Sequence, residues 1–163
     1  MKSTDQVSLL PPVVKSLVVA RSQADAFRIY TDEISMWWPM HKFSIGGEKV
    51  ASVKVEARTG GRIFETWSDG TEKLWGTVIA YDPPGRLVHT WHVATDPEHS
   101  SEVELRFVAL GANRTRVTLE HRHWERMSGE RAAIVRGNYD NGWQSIIYDA
   151  FGKRAGEIEG ERQ

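Results

Sequence analysis

The stretch from Gly60 to Trp91 constrains the fold of this chain more than any other part. It contains three runs of β-branched and aromatic residues, separated by short turns at 68–70 and 82–85. Turn residues at such close spacing between strand-like runs are typical of an antiparallel meander. Because strand side chains alternate between two faces, His89 and Trp91 fall on the same face of the third run. The stretch therefore predicts a sheet and indicates a ligand-facing surface near its end.

The rest of the chain adds strands on both sides of the meander and helices near each end. Ser22, with Asp25 three residues later, has the pattern of a helix N-cap, and a second short helical turn is expected just before Pro39. A final helix is expected to begin at Ser128 or Gly129 and to run to about Arg154. The seven predicted strands are 13–20, 49–57, 61–68, 71–81, 86–94, 101–110 and 114–124.

This order predicts an α+β domain in which a seven-stranded antiparallel sheet is covered by the long C-terminal helix. We expect a flexible N-terminal tail at 1–10, a single domain at 11–156 and a charged, frayed C-terminal tail at 157–163. Gly137 and Gly142 lie inside the final helix, which leaves open a kink or a late start near Asn138.

Composition excludes several classes of function. The net charge is −1, so the chain has no electrostatic footprint for nucleic acid. No apolar run approaches the roughly 20 residues that span a bilayer, so no membrane insertion is expected. There is no cysteine, which excludes disulfides, thiol catalysis and thiolate metal sites. We expect a cytoplasmic monomer or homodimer without a metal or other cofactor.

A set of short motifs resembles a known family, the homologues of the activator of the heat-shock-protein-90 ATPase, within the START-like (SRPBCC, birch-pollen-allergen type) superfamily. The resemblance covers the chain from about Val14 to Ala155 and corresponds to the C-terminal type of module. Its motifs are Trp37-Trp38-Pro39, Gly60-Gly61-Arg62, Asp69-Gly70, Trp75-Gly76 with Val78, Asp82-Pro83-Pro84 with Leu87 and Trp91, 114–119 with His121, and Gly142-Trp143.

The resemblance implies a helix-grip fold, in which a curved sheet wraps around the C-terminal helix and leaves a cavity between them. It also implies three functions. The first is non-catalytic binding of a small hydrophobic or amphipathic ligand in that cavity. The second is a role as a chaperone cofactor or another protein-interaction module, and the third is catalysis of the polyketide-cyclase kind.

Strand alternation supplies the candidate ligand-binding residues. The walls are expected from apolar side chains on the inner faces of the strands and the final helix, with histidines as polar contacts. An alternative is that these histidines lie hydrogen-bonded and inert at the rim of the sheet. The predicted set is Trp38, Phe43, Leu87, His89, Trp91, Leu105, Phe107, Leu119, His121, His123, Trp143 and Ile147.

Three weaker hypotheses concern chemistry. Glu65, His89 or His121 would serve as catalytic groups if they converged in the cavity. Glu65 lies between Ile63 and Trp67 in alternation phase, but its face is ambiguous and the outer face is favoured. His121 and His123, with His89 and Glu65, have the chemistry of a zinc site, yet a bare His-x-His pair is too weak a motif to support a metal.

Trp37 and Trp38 are adjacent, so they cannot share one face of a helix or strand. One of the two is therefore expected to reach a groove or the solvent. With Met40 and Phe43 they lie in a connection that borders the predicted cavity mouth. The connection is expected to be either a lid or partner-binding patch, or a hydrophobic plug on the long helix, and the plug is favoured.

Overall fold

The computed structural model describes residues 10–93, 95–127 and 129–162. Seven strands in these segments form one antiparallel sheet with the spatial order β1-β7-β6-β5-β4-β3-β2. All seven predicted strands are confirmed, with ends displaced by at most three residues. The strands are β1 (Val13–Val19), β2 (Val50–Val55), β3 (Arg62–Trp67), β4 (Glu72–Asp82), β5 (Arg86–Trp91), β6 (Ser101–Gly111) and β7 (Arg114–Arg122).

Besides short 3-10 turns, three helices in the described segments accompany the sheet. Helix α1 (Gln23–Thr31) is capped by Ser22, whose Oγ accepts from the backbone N–H of Asp25 at 3.1 Å, as predicted. Helix α2 (Ile34–Trp37) is the predicted short turn. Helix α3 (129–155) is continuous from its start at Gly129, which removes the alternative of a late start near Asn138. The curved sheet around this long helix confirms the helix-grip α+β fold.

Helix α3 changes its winding along its length. It is α-helical over Gly129–Trp143, π-helical over Gln144–Phe151, and α-helical again over Gly152–Ala155. π-Helical segments are rare and usually last a single turn. The wider turn changes the angular spacing of the side chains along this part of α3.

Aromatic side chains fill the space between the sheet and α3. Trp75, Trp143 and Phe151 are fully buried, and Phe107 is 2% exposed. Phe151 also contacts Tyr30 of α1, with ring centroids 5.4 Å apart, so the helices and the sheet share one core. The interior is therefore packed with side chains where the sequence predicts a cavity.

Each of the two edge strands is capped by one side-chain hydroxyl group. The Ser35 Oγ accepts from the N–H of Val53 in β2 at 2.7 Å and donates to the same residue's carbonyl at 2.6 Å. At the opposite edge, the Tyr148 hydroxyl accepts from the N–H of Ser16 in β1 and donates to its carbonyl, both at 3.2 Å. Each hydroxyl thus satisfies the donor and the acceptor that an edge residue would otherwise present to solvent.

The C-terminal residues continue along β1. The N–H of Ile158 donates to the carbonyl of Val18 at 2.8 Å, and Glu157 pairs with Val19. Arg162 forms an ion pair with Glu157 at 2.6 Å. Residues 157–162, expected to be a charged and frayed tail, thus form ordered contacts with the sheet. The expected N-terminal tail lies outside the described residues except for Leu10.

The outer face of the sheet carries a charged network around Glu104 and Arg122. Glu104 is 5% exposed, and its carboxylate accepts from Arg86 Nε at 2.7 Å and from Arg122. Burial alone would raise the pKa of Glu104, but hydrogen bonds from the two arginines outweigh it and lower the pKa. No helix in the described segments is long and apolar enough to cross a membrane.

Candidate functional site

An open cleft of about 290 Å³ lies at one end of the packed interior, and we call it the aromatic cleft. Its sides are the loop at 40–46, the end of β5 and residues 135–146 of α3. Apolar side chains form most of its surface. The lining residues are Trp38, Lys42, Phe43, Ser44, Trp91, Val93, Val135, Asn138, Tyr139, Gly142 and Ile146.

A cluster of tryptophans forms the floor of the aromatic cleft. Trp38 lies 5.1 Å from Trp75, 6.0 Å from Trp91 and 5.7 Å from Trp143, measured between ring centroids. These tilted and edge-to-face arrangements are the favoured geometries of aromatic pairs. Because each ring contacts several others, the floor is a rigid surface that presents indole faces and edges to the cleft.

Phe43 forms the rim on the loop side. Trp38 Nε1 donates to the carbonyl oxygen of Phe43 at 2.7 Å, which ties the loop to the floor. The Phe43 ring packs against Gly142 of α3, where an added Cβ would lie 3.4 Å from the ring. The loop and the helix are thus in direct contact at this position.

Tyr139 joins α3 to the floor. Trp91 Nε1 donates to the Tyr139 hydroxyl oxygen at 2.9 Å, and the two rings meet edge to face. Lys42, Ser44 and Asn138 supply the other polar groups of the lining. The aromatic cleft therefore combines flat apolar walls with a few polar groups around its opening, which is the usual chemistry of a small-molecule site.

Trp37 and Trp38 are both buried, at 7% and 4% exposure, and of the two Trp38 lines the aromatic cleft, so the prediction that one would reach a groove or the solvent is confirmed. The reason is that α2 ends between them: Trp37 is its last residue, and Trp38 has extended backbone angles. Trp37 packs against Phe151 in the core, while Trp38 points into the tryptophan floor. The change of backbone conformation lets adjacent side chains enter two parts of one interior.

His121 is held in one neutral tautomer. It is fully buried, and its Nδ1 accepts from Trp143 Nε1 at 2.9 Å. The proton is therefore on Nε2, which donates to the Ser101 Oγ at 2.6 Å, and Ser101 in turn donates to the Trp91 carbonyl at 3.3 Å. Burial and the nearby His89 lower the pKa of His121 well below its ordinary value. Both ring nitrogens are occupied, so His121 does not face the aromatic cleft as a polar group.

His89 is also buried, at 3% exposure. Its Nδ1 lies 2.9 Å from the carbonyl oxygen of Thr90, and burial lowers the pKa of His89 to about 4. At neutral pH the imidazole is uncharged and donates to that carbonyl. His89 contacts Trp91 at 5.8 Å between rings, but it does not line the aromatic cleft.

His123 leaves the face on which strand alternation placed it. Its backbone has a φ of 71°, in the left-handed region, and β7 ends one residue earlier. The imidazole points outward, with Nδ1 2.9 Å from Glu125 and Nε2 3.7 Å from Glu102. The shared inner face of His121 and His123 was thus a wrong prediction, because the strand does not extend that far.

Glu65 faces inward, contrary to the favoured outer placement. It is fully buried and accepts four hydrogen bonds, two from backbone N–H groups of the 40–46 loop and two from indoles. The phase of β3 was ambiguous because both of its faces are covered. Phe64 on the other face is 5% exposed and lies under the guanidinium of Arg62, 4.1 Å from the ring centroid.

The structure brings three of the predicted ligand-binding residues to the aromatic cleft, namely Trp38, Phe43 and Trp91. The other apolar ones are buried core at 0–2% exposure: Leu87, Leu105, Phe107, Leu119, Trp143 and Ile147. Among the described residues, no group of three or more acidic or histidine side chains is arranged to hold a metal ion.

Sequence reasoning missed the helical wall of the aromatic cleft. That wall consists of Val135, Tyr139, Gly142 and Ile146, which follow one another at intervals of four, three and four residues. This spacing keeps them on one stripe of an α-helix. The spacing of these four residues is visible in the sequence. It was not recognised because Gly142 has no apolar side chain and therefore interrupts the apolar pattern.

A family model described as activator of Hsp90 ATPase homolog 1-like protein matches residues 20–155. The chain belongs to this family. Its fold is accordingly that of the START-like superfamily, as the motifs predicted. No curated protein matches the chain.

Two solved structures of this fold share about a third of their residues with this family member. One is an anthrahydroquino-gamma-pyrone synthase, Txn09, at 36% identity and a TM-score of 0.56, with 80% of this chain and 88% of that chain covered. The other is a self-sacrificing resistance protein, CalC from Micromonospora echinospora, at 32% identity and a TM-score of 0.64, with 89% and 94% covered.

A third similar structure is an Hsp90 activator from Plasmodium falciparum, at 16% identity and a TM-score of 0.63, with 94% of this chain and 100% of that chain covered. At this identity the likeness shows the fold alone. A chaperone-cofactor role for this family member stays a prediction, and so does its cytoplasmic location.

Proposed function

We propose that this protein binds a small, flat aromatic molecule of amphipathic character in the aromatic cleft, without transforming it. The observation that carries the proposal is the cleft itself, which is open on one side and lined by the rings of Trp38, Phe43, Trp91 and Tyr139. Its volume of about 290 Å³ is near the lower end of ligand pockets, roughly 300–1,000 Å³, so the occupant would be small.

The arrangement of the floor favours a planar ligand. Ring faces and edges fixed by mutual packing offer offset-stacked and edge-to-face contacts, which add about 0.5–1.5 kcal/mol per aromatic pair beyond burial. Lys42, Ser44 and Asn138 border the opening and would contact polar substituents that remain near solvent. The aromatic cleft therefore suits an amphipathic molecule best, because the flat apolar part would be buried while the polar edge would stay in contact with water.

Binding without transformation is supported by the state of the candidate catalytic groups. Glu65 already accepts four hydrogen bonds, and both ring nitrogens of His121 are occupied. His89 lies outside the lining of the aromatic cleft. A general acid or base must reach the reacting group within hydrogen-bond distance, and these three side chains are directed elsewhere in the structure.

The test uses matched tryptophan substitutions on α3. Val135→Trp places an indole in the aromatic cleft, whereas Ile134→Trp places one on the neighbouring exposed position, which is 66% accessible. We expect wild type and Ile134→Trp to bind the anthraquinone emodin with similar affinity, and Val135→Trp to bind at least about tenfold more weakly, a difference of about 1.4 kcal/mol.

Binding is measured by quenching of intrinsic tryptophan fluorescence and by native mass spectrometry. Titration of the variants under identical conditions corrects for the added indole. Equal emodin affinity in Val135→Trp and Ile134→Trp would place the ligand elsewhere. Absence of binding in wild type to both emodin and anilinonaphthalene sulfonate would overturn the proposal.

A second candidate, an enzyme of the polyketide-cyclase kind, is favoured by the 36% identity to a pyrone synthase. The chemistry would then use lining residues such as Tyr139 or Lys42, since the predicted acid–base groups are engaged elsewhere. Incubation with an aromatic polyketide that bears a phenol beside an unsaturated ketone tests it. Ring closure detected by absorbance and lost in Tyr139→Phe would support catalysis, and unchanged substrate would count against it.

A further inference from the structure

Glu65 lies behind the aromatic cleft and concentrates four hydrogen bonds on one carboxylate. Its Oε1 accepts from the Ile45 N–H at 2.7 Å and from Trp75 Nε1 at 2.6 Å. Its Oε2 accepts from the Gly46 N–H and from Trp67 Nε1, both at 2.7 Å. A carboxylate offers about four lone-pair sites and no donor, so the acceptor capacity of this buried side chain is fully used.

The four donors come from the 40–46 loop and from strands β3 and β4 of the sheet. Ile45 and Gly46 end the loop whose Phe43 forms the rim, so the carboxylate holds the backbone two and three residues after Phe43. The Trp75 ring, oriented by its bond to Glu65, lies 5.1 Å from Trp38 and therefore supports the floor. One side chain thus fixes the rim relative to the floor.

The loop approaches the sheet too closely for a side chain at Gly46. An added Cβ there would lie 2.3 Å from Trp67 Nε1, which is far inside contact distance. The backbone of Gly46 and the indole of Trp67 therefore converge on the carboxylate together. The local sequence thus suits a dedicated anchor, because a larger residue at position 46 would push the loop away from Glu65.

We infer that Glu65 is the positioning residue of the aromatic cleft: its carboxylate holds Phe43 and Trp75 in the geometry that receives the ligand. The inference rests on the proposed function for the identity of the ligand, but not for the anchoring. Glu65 does not touch the occupant and is not catalytic. It affects binding indirectly, because it orients the 40–46 loop and the Trp75 indole.

The decisive variant is Glu65→Gln, which keeps the shape of the side chain. An amide has one acceptor oxygen and one NH₂ group, so the NH₂ would face two N–H donors and the anchor would fail on one side. We expect emodin to bind about tenfold more weakly, mainly through faster dissociation measured by stopped-flow quenching. We also expect faster hydrogen exchange at the amides of Ile45 and Gly46.

The matched control is Glu104→Gln, which removes a carboxylate of similar burial on the outer face of the sheet. It is expected to lower stability without changing emodin dissociation or exchange in the 40–46 loop. Trp67→Phe provides a milder variant, since it removes one of the four donors and leaves the carboxylate in place. Its effects are expected to have the same sign as those of Glu65→Gln and a smaller size.

The outcomes separate the two proposals. If wild type binds emodin and Glu65→Gln binds it with the same dissociation rate, the positioning role is wrong. If wild type binds no probe, the proposed function fails, and the exchange data still decide whether Glu65 anchors the loop. Unchanged exchange at Ile45 and Gly46 in Glu65→Gln would overturn the inference in either case.

Discussion

At the scale of single residues, the buried histidines His89 and His121 make stability depend on pH. Burial holds the pKa of His89 at about 4 and that of His121 well below its ordinary value, whereas both titrate near 6.5 in an unfolded chain. Between these values the unfolded chain binds protons that the folded chain does not. Stability is therefore complete above about pH 6.5 and falls as the pH decreases toward the folded pKa values.

We expect the free energy of unfolding, measured with urea, to fall by up to about 1.4 kcal/mol per pH unit for each histidine between about pH 6 and pH 5. The lowered pKa values of carboxyls such as Glu33 and Glu104 add to the loss only at lower pH. Replacement of His89 by Asn should reduce this slope. A free energy that stays constant over the interval would contradict the assignment.

The histidines also show where residue-level prediction ends. Alternation correctly placed His89 and His121 on the inner face, but it could not show that the packed interior leaves them no ligand to contact. The partners of His121 come from β6 and α3, which are distant in the sequence, so their hydrogen bonds follow from the tertiary structure. His123 was misplaced because the end of a strand depends on its neighbours' lengths.

At the scale of elements, Lys15 connects β1 to α3. It lies on the inner side of β1 with 12% of its side chain exposed, and its ammonium contacts Asp140 at 2.8 Å and Gln144 at 3.1 Å. Asp140 is 48% exposed and can return to water if its partner is lost. Lys15 has less access to solvent, so the two partners of this ion pair are not equivalent.

We therefore expect Asp140→Ala to destabilise the protein by about 1–3 kcal/mol, because it leaves a mostly buried ammonium with fewer acceptors. Lys15→Met should cost less, within about 1 kcal/mol, since its apolar side chain fits the same inner face. Urea denaturation of the two variants provides the comparison. The reverse order of stability would show that the Lys15 ammonium remains hydrated.

Secondary structure could be predicted because it depends on local sequence patterns. The position of the aromatic cleft could not be predicted in this way. Turn residues and alternation determine the strands of the 60–91 meander, and the Ser22 cap determines the start of α1. The aromatic cleft arises where the 40–46 loop meets α3 at Gly142, and where the same loop is hydrogen-bonded to Glu65. Neither feature has a periodic signature in the sequence.

At the scale of the whole molecule, the resemblance correctly gave the family and the helix-grip fold, but it did not determine how much of the space between the sheet and the helix is filled. The volume left between a sheet and a helix depends on the side chains that point into it. Here tryptophans and phenylalanines occupy most of it, and the remaining space lies at one end. A fold name therefore did not predict where the open cleft of this chain lies.

The two hydroxyl caps on the edge strands affect whether copies of this molecule associate through their sheet edges. An edge residue with an unsatisfied N–H and carbonyl can pair with a strand of another chain. We expect the double variant Ser35→Ala with Tyr148→Phe to form thioflavin-positive aggregates at lower concentration than wild type on warming. Thr118→Ala, a change in the interior strand β7, serves as the control and should not shift that concentration.

If the double variant stays as dispersed as wild type, other edge contacts are sufficient. If it aggregates, two oxygen atoms that take no part in ligand binding determine how concentrated the protein can become. Selection for activity would then act on the aromatic cleft, whereas selection for high abundance would act on Ser35 and Tyr148. The two pressures would fall on separate parts of one small domain and could change independently.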